Sequence, residues 1–455
     1  MEMKLKRMRG RASVILGLGL LAGCVSLSGD GGLGEVAHLA QERIGQPVFL
    51  ARGPDEADLK VLLAAPLSAD SAVQIALLNN KGLKASLAEL GISQAELVQA
   101  GHLRNPGLGF GRVRGANESE IDRSITFDIA GLLTMPARTR IQRERFEQAK
   151  LQAAAQAVQV AADTRRAYFS AVAAAQAAAF ADQVRQSAEA AAELAGRMRA
   201  AGNWSKLDQA RETAFYQDAV TQQARAHLQA IATREQLVRL LGLWGAQLSF
   251  SLPDRLPALP AQPYAISDAE SKALSRRLDV LAARRDAQAT ADALGLTRAT
   301  RFINVFDAGY ANKSTSGAPR ENGYEVSLEL PLFDWGGART ARAEAVYMQA
   351  VHRTADTAVR ARSEVREAYA AYRTAYDIAR HYRDEVVPLR KQISNEVMLR
   401  YNGMLASTFE LLADSREQLV SVNASIDAQR AFWIADTTLQ FAINAGGNSE
   451  SRTMQ

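Results

Sequence analysis

The chain repeats itself at a fixed distance, and that duplication constrains its fold more than any other feature. Ala137-Arg138-Thr139 returns as Ala338-Arg339-Thr340, an offset of 201 residues. The same offset carries Ile125, Phe127 and Ile129 onto Val326, Leu328 and Leu330, and Tyr168 onto Tyr369. It also carries Arg199 onto Arg400 and Gly202 onto Gly403. One match could be chance; a constant offset over separate stretches points to two copies of one structural unit.

Each copy reads as a helix, two strands, a very long helix and a returning helix. Residues 68–267 form the first repeat, with strands at about 107–114 and 123–131 and a helical hairpin turning near Gly202. Residues 268–445 form the second, with strands at about 301–310 and 323–332 and a turn near Gly403. The strands announce themselves by alternation. In Ser124–Ile129 and Tyr324–Leu330 every second residue is apolar, so one face of a strand is apolar and the other polar. Their partners are Leu108–Val113 and Phe302–Tyr310, joined through polar loops at 114–120 and 311–322.

The helices announce themselves by composition. Between Ala137 and Ala201 there is no proline and one glycine, Gly196, among many Ala, Gln, Arg and Glu. That stretch amounts to about 98 Å of helix at ~1.5 Å per residue. The return from Lys206 to Gly245 gives about 60 Å, and a second helix from Asp268 to Arg298 gives about 46 Å. Two short pieces thus match the long one, with the proline-rich 252–263 segment breaking them apart. In the second repeat Ala338–Tyr401 descends and Ala406–Asn444 returns, and Pro388 is expected to kink or loosen the descending limb roughly two-thirds of the way down. The fold class is therefore α+β and mainly α: long antiparallel helical hairpins plus four strands.

Composition removes several functions. A single cysteine permits no intrachain disulfide and no cysteine-based metal cluster, and five scattered histidines lack metal-ligand spacing. We expect no metal, no cofactor and no catalytic residue: there is no Gly-x-Ser-x-Gly turn and no His-Glu-x-x-His pair, so the chain reads as a non-enzyme. The net charge of +5 does not signal nucleic acid. Most of that excess sits in the first 23 residues (Lys4, Lys6, Arg7, Arg9 and Arg11 against Glu2), leaving the remainder near neutral.

Those first residues read as an address. A basic stretch at 1–11 precedes a short apolar run, Ala12–Leu21, too short to span a bilayer. Leu21-Ala22-Gly23-Cys24 resembles the lipobox of bacterial lipoprotein signals. The resemblance implies that residues 1–23 are removed, that Cys24 is acylated, and, with Val25 rather than Asp following it, that the protein goes to the outer membrane. Residues 24–67 would then be a lipidated linker and 446–455 a flexible tail.

Taken together the chain resembles the TolC family of outer-membrane efflux ducts over about residues 68–445. The local signatures are Pro331-Leu332-Phe333-Asp334-Trp335-Gly336 after the last strand, Ala368-Tyr369, and Arg400-Tyr401-Asn402-Gly403 at the second turn. The first repeat departs from them: Gly131–Pro136 replaces the first motif and Arg199-Ala200-Ala201-Gly202 lacks the tyrosine. Four strands cannot close a barrel, and an open edge in lipid would leave backbone groups unpaired. The family implies a homotrimer with a 12-stranded barrel, continued by a periplasmic α-barrel. It also implies a periplasmic adaptor and an inner-membrane pump that choose the cargo, with outer-membrane lipid around the strands. By that resemblance Arg199, Gly202, Arg400, Tyr401 and Gly403 mark the periplasmic tip and adaptor contact. Arg199, Arg400 and Tyr401 would brace it through hydrogen bonds and cation–π contacts. Asp208, Glu410 and Asp414 are candidate gate residues, although the family spacing falls on Phe409. The competing reading is a lipid-tethered coiled-coil scaffold without a channel.

Overall fold

The computed structural model describes residues 28–50, 56–115, 118–265, 268–303 and 305–446; Cys24 and the segment before it lie outside the described residues. Among the described residues eleven α-helices and four strands follow in the order α1 (Leu33–Ile44), α2 (Glu56–Leu63), α3 (Ala69–Asn79), α4 (Lys81–Ala100), β1 (Gly107–Arg114), β2 (Ser119–Asp128), α5 (Ile129–Ala200) and α6 (Lys206–Leu241). Then come α7 (Ala269–Arg276), α8 (Leu278–Ala299), β3 (Phe306–Thr315), β4 (Glu321–Leu328), α9 (Gly337–His381), α10 (Val387–Asn402) and α11 (Thr408–Asn444). A π-helical turn, Tyr382–Val386, joins α9 to α10.

The chain divides into two compact units. One contains Leu87–Leu151 and Leu281–Asp356. Its four strands form a single antiparallel sheet in the order β1-β2-β3-β4. Charge pairs bind its helical segments: Arg140 to Asp292 at 3.2 Å, Arg285 to Glu144 at 2.9 Å, and Arg298 to Glu344 at 2.6 Å. The Pro331–Gly336 motif is tied by Arg301, whose Nε donates to the Trp335 carbonyl at 2.9 Å. Gly336 has φ +71°, and a Cβ there would lie 2.8 Å from the Arg301 carbonyl, so only glycine fits.

The other unit contains Leu33–Ser86, Gln152–Val280 and the chain from Thr357 onward. Its core is aromatic: Tyr372, Tyr376 and Phe432 are buried with Leu439 and Val365. This cluster holds the proline-rich segment through polar tips. Tyr376 Oη donates to the Ala261 carbonyl at 3.0 Å, and Trp433 Nε1 to the Pro257 carbonyl at 3.1 Å. Tyr264 stacks on Tyr372 at 4.6 Å and hydrogen-bonds Asp436, whose carboxyl burial pushes above the usual range.

Four features differ from the sequence reading. The long helix starts at Ile129 rather than near Ala137, taking in Gly131–Pro136; Asp128 Oδ1 accepts the Gly131 N–H at 2.5 Å as that helix begins. Correspondingly β2 runs Ser119–Asp128, not 123–131. The second pair of strands is shifted: β3 reaches Thr315 and β4 begins at Glu321, so the polar stretch Asn312–Thr315 is strand, not loop. Pairing of Lys313 with Asp122 and of Asn312 with Arg123 satisfies the backbone whatever the side chains are. The helix expected at 268–298 is broken at Arg277, which is almost fully buried. Its guanidinium bonds Asp279 at 2.7 Å, Glu364 at 2.7 Å and the Ala442 carbonyl at 3.2 Å. In the first repeat Asn79 and Asn80 do the same work at the α3–α4 break, donating to the closing carbonyls of α6.

The fourth difference is the π turn. Pro388 is expected to kink or loosen its helix, and the loosening takes the form of a wider turn just upstream, where the Val387 N–H bonds the Tyr382 carbonyl five residues back. Proline has no N–H and its ring collides with the carbonyl four residues before it, so a wider turn relieves both problems. A π turn also inserts one residue into the helix. Upstream of it buried positions match at offset 201: Thr164 with Val365, Ala167 with Ala368, Ala171 with Tyr372, Ala178 with Ala379. Downstream the match moves to 202: Ala219 with Ser421 and Leu237 with Leu439.

Candidate channel surfaces

The sheet register sorts its side chains onto two chemically opposite faces. Leu108, Ile125, Tyr310 and Tyr324 lie opposite one another in one row, and Phe127, Ala308 and Val326 in the next. Phe306 pairs with Leu328 one row beyond. Because side chains alternate, the other face carries Glu120, Asp122, Asp128, Asp307, Glu321 and Glu325 among Ser, Thr and Gly. Lys313, also on that face, pairs with Glu120 at 2.6 Å. The apolar face is bare: Leu108 is 82% and Tyr324 91% exposed. From the Phe306–Leu328 row to the Phe110 row is roughly 20 Å at ~3.4 Å per residue, or about 16 Å of height at a barrel's tilt near 40°, within the roughly 25 Å apolar band of such barrels. β1 and β4 each pair on one side only, leaving two open edges.

The two helical turns share one hydrogen-bond pattern. At the end of α5 the Asn203 N–H reaches the Met198 carbonyl and the Gly202 N–H the Arg199 carbonyl, both at 2.9 Å. At the end of α10 the Leu405 N–H reaches the Arg400 carbonyl at 2.7 Å and the Met404 N–H the Tyr401 carbonyl at 3.0 Å. Both are Schellman endings, in which one residue must enter the left-handed region. At the first turn Gly202 does so, with φ +81°. At the second the residue is Met404, φ +60° and 94% exposed. Gly403, at the expected turn, has φ −82°, so its conformation does not call for glycine. The equivalences Gly202–Gly403 and Arg199–Arg400 are thus one residue out of register; Gly202 matches Met404 and Arg199 matches Tyr401.

Serine opens both return helices. Ser205 Oγ accepts the Asp208 N–H at 3.1 Å and donates to Asp208 Oδ2 at 2.7 Å. Ser407 Oγ accepts the Glu410 N–H at 3.2 Å, while Glu410 Oε2 accepts the Ser407 N–H at 2.8 Å, a complete capping box. Two of the three gate candidates therefore sit at the third position of a helix and hold its cap. The third, Asp414, is half-buried, and its Oδ2 is shielded with no hydrogen bond among the described residues.

Arg199, Arg400 and Tyr401 are not brought together. Arg199 bonds Gln209 across its own turn, Arg400 bonds Glu396 one helical turn back at 3.1 Å, and Tyr401 is half-buried. What joins the two hairpins went unnoticed in sequence. Glu212, the counterpart of Asp414, is 1% exposed and accepts a hydrogen bond from Arg416 at 2.5 Å. Arg416 also lies 4.4 Å from the Phe215 ring centre, and Arg211 lies 5.8 Å from that of Phe409. The available signal was the spacing: each return helix carries an acid at its third position and another four residues on.

Residues 270–445 match the family described as "Outer membrane efflux protein". A membrane protein from Pseudomonas aeruginosa has a similar fold, with TM-score 0.72 and 24% identity, 84% of this chain covering 92% of that one. The outer membrane protein VceC of Vibrio cholerae gives 0.70 at 17% identity, covering 83% and 96% of the two chains. The CmeC outer membrane channel of Campylobacter jejuni gives 0.72 at 16%, covering 82% and 85%. Residues 270–445 thus resemble the outer membrane efflux protein family, and the chain has the TolC-type fold. No curated protein matches the sequence. The family is one of transport channels, not enzymes.

Proposed function

We propose that this protein is the outer-membrane channel of a tripartite efflux system. Three copies close a 12-stranded barrel, and their helical hairpins form a passive periplasmic conduit fed by an adaptor and an inner-membrane pump. A lipid on Cys24 tethers each copy to the outer membrane. The observation that carries this reading is the sheet: apolar on one face, acidic on the other, with both edges unpaired. Such a sheet is unstable in lipid alone, and edge-to-edge closure with further copies removes every open edge. The scaffold alternative gives the bare apolar face no purpose.

In the closed trimer Asp414 forms a ring of three carboxylates that narrows the entrance and favours cations. Asp208 and Glu410 flank it from the helix caps. Arg199, Gly202, Arg400, Tyr401 and Gly403, with Met404, present the surface the adaptor grips. Planar-bilayer recording of the purified protein tests this: cation-preferring steps are expected, and Asp414→Ala should raise leak conductance or weaken the preference. A protein giving no steps is not a channel; unchanged conductance in the variant removes Asp414 from the gate.

A further inference from the structure

Within the four strands charge is sorted by face, with Lys313, paired to Glu120, the one cation on the acidic side among the described residues. Every carboxylate lies on the face opposite the apolar one, whereas the three strand arginines, Arg112, Arg114 and Arg123, lie on the apolar face itself. They are not scattered through it. Arg123 occupies the row directly beyond Leu108–Ile125–Tyr310–Tyr324, Arg112 the next row and Arg114 the one after. They thus rise at intervals of ~7 Å from the edge of the apolar band. Arg123 Nη1 donates to Asn312 at 3.3 Å, and Asn312 to Asn322 at 2.7 Å, so the last row of the band, apolar at Phe110 in β1, is a polar rung across β2, β3 and β4. Arg112 and Arg114 are exposed and have no carboxylate partner among the described residues. Arg320, also exposed, immediately precedes β4 on the opposite edge of the sheet.

We propose that these arginines bind the phosphate groups of anionic lipid in the outer leaflet, holding the barrel at a fixed depth. This rests on the reading of the sheet as membrane-spanning. A lipid-facing charge is costly at mid-membrane but favourable at the headgroup level, where a guanidinium meets phosphate oxygens in bidentate fashion. With neighbouring copies joined edge to edge, Arg112 and Arg114 of one protomer come beside Arg320 of the next, making the belt continuous. The acidic face repels the same lipid and turns it outward.

Native mass spectrometry of the detergent-purified protein tests the assignment, with diphosphoryl lipid A as probe and the same lipid stripped of both phosphates as comparison. The wild type should prefer the phosphorylated probe. A variant carrying Arg112→Gln, Arg114→Gln and Arg123→Gln should lose roughly 100-fold in affinity, about fivefold per arginine. Lys313→Gln, on the opposite face, should bind as the wild type does. Equal binding of both probes, or an unaffected triple variant, overturns the proposal, as does full competition by millimolar inorganic phosphate, which would mark a site for the free anion. Each variant's oligomer mass is read in the same spectrum. A triple variant that no longer forms the wild-type oligomer is replaced by the three single substitutions, each expected to cost about fivefold. A wild-type trimer without lipid preference sinks only this inference, whereas a wild-type monomer sinks the channel reading beneath it.

Discussion

The two helical turns solve one problem with different residues. Each ends its descending helix in a Schellman motif and opens its return helix with serine and a third-position acid. The first spends a glycine on the left-handed position; the second places Met404 there, a conformation that costs an L-residue roughly 1–2 kcal/mol. The second hairpin alone contains the π turn ahead of Pro388. Strain and irregularity are thus concentrated in one of two otherwise equivalent hairpins. A duplicated unit can keep its hydrogen-bond geometry while one copy takes up irregularities that the other lacks.

The largest effect should come from breaking what couples them. Arg416→Ala leaves the Glu212 carboxylate buried without its partner and should cost about 3–5 kcal/mol. Helix melting by circular dichroism, with hydrogen exchange on α6 and α11, would show it; an unchanged melt means the hairpins are held otherwise. Next, Gly202→Ala should destabilise by about 1–2 kcal/mol, since alanine inherits the left-handed strain at φ +81°. Ser407→Ala should cost about 1 kcal/mol through loss of the cap, read as earlier exchange of the first amides of α11. Met404→Gly should stabilise the second turn by up to about 1 kcal/mol. Gly403→Ala should change stability by less than about 0.5 kcal/mol, because its φ is ordinary and a Cβ meets nothing closer than 3.5 Å. If Gly403→Ala proves worse than Gly202→Ala, the one-residue shift is wrong.

Much of this architecture was legible in sequence. Alternation in Ser124–Ile129 and Tyr324–Leu330 marked strands, because pleating forces a period of two, and proline-free composition marked the long helices. The ends of β3 and β4 were hidden: Asn312–Thr315 looks like loop, and only pairing with β2 makes it strand. The tip was misaligned because Arg199-x-x-Gly202 and Arg400-x-x-Gly403 coincide at offset 201, while the π turn shifts the fold to 202. Such an insertion leaves no composition signal beyond Pro388. The Glu212–Arg416 pair joins residues 204 apart, and no periodicity in one sequence brings such partners together.

The proposed pore is one that a single copy cannot enclose, so the mass of the purified particle is the most direct test. Native mass spectrometry in detergent should give a complex of three chains that dissociates on heating together with loss of sheet signal. A particle that holds one chain under gentle extraction, with its sheet intact, would contradict the account.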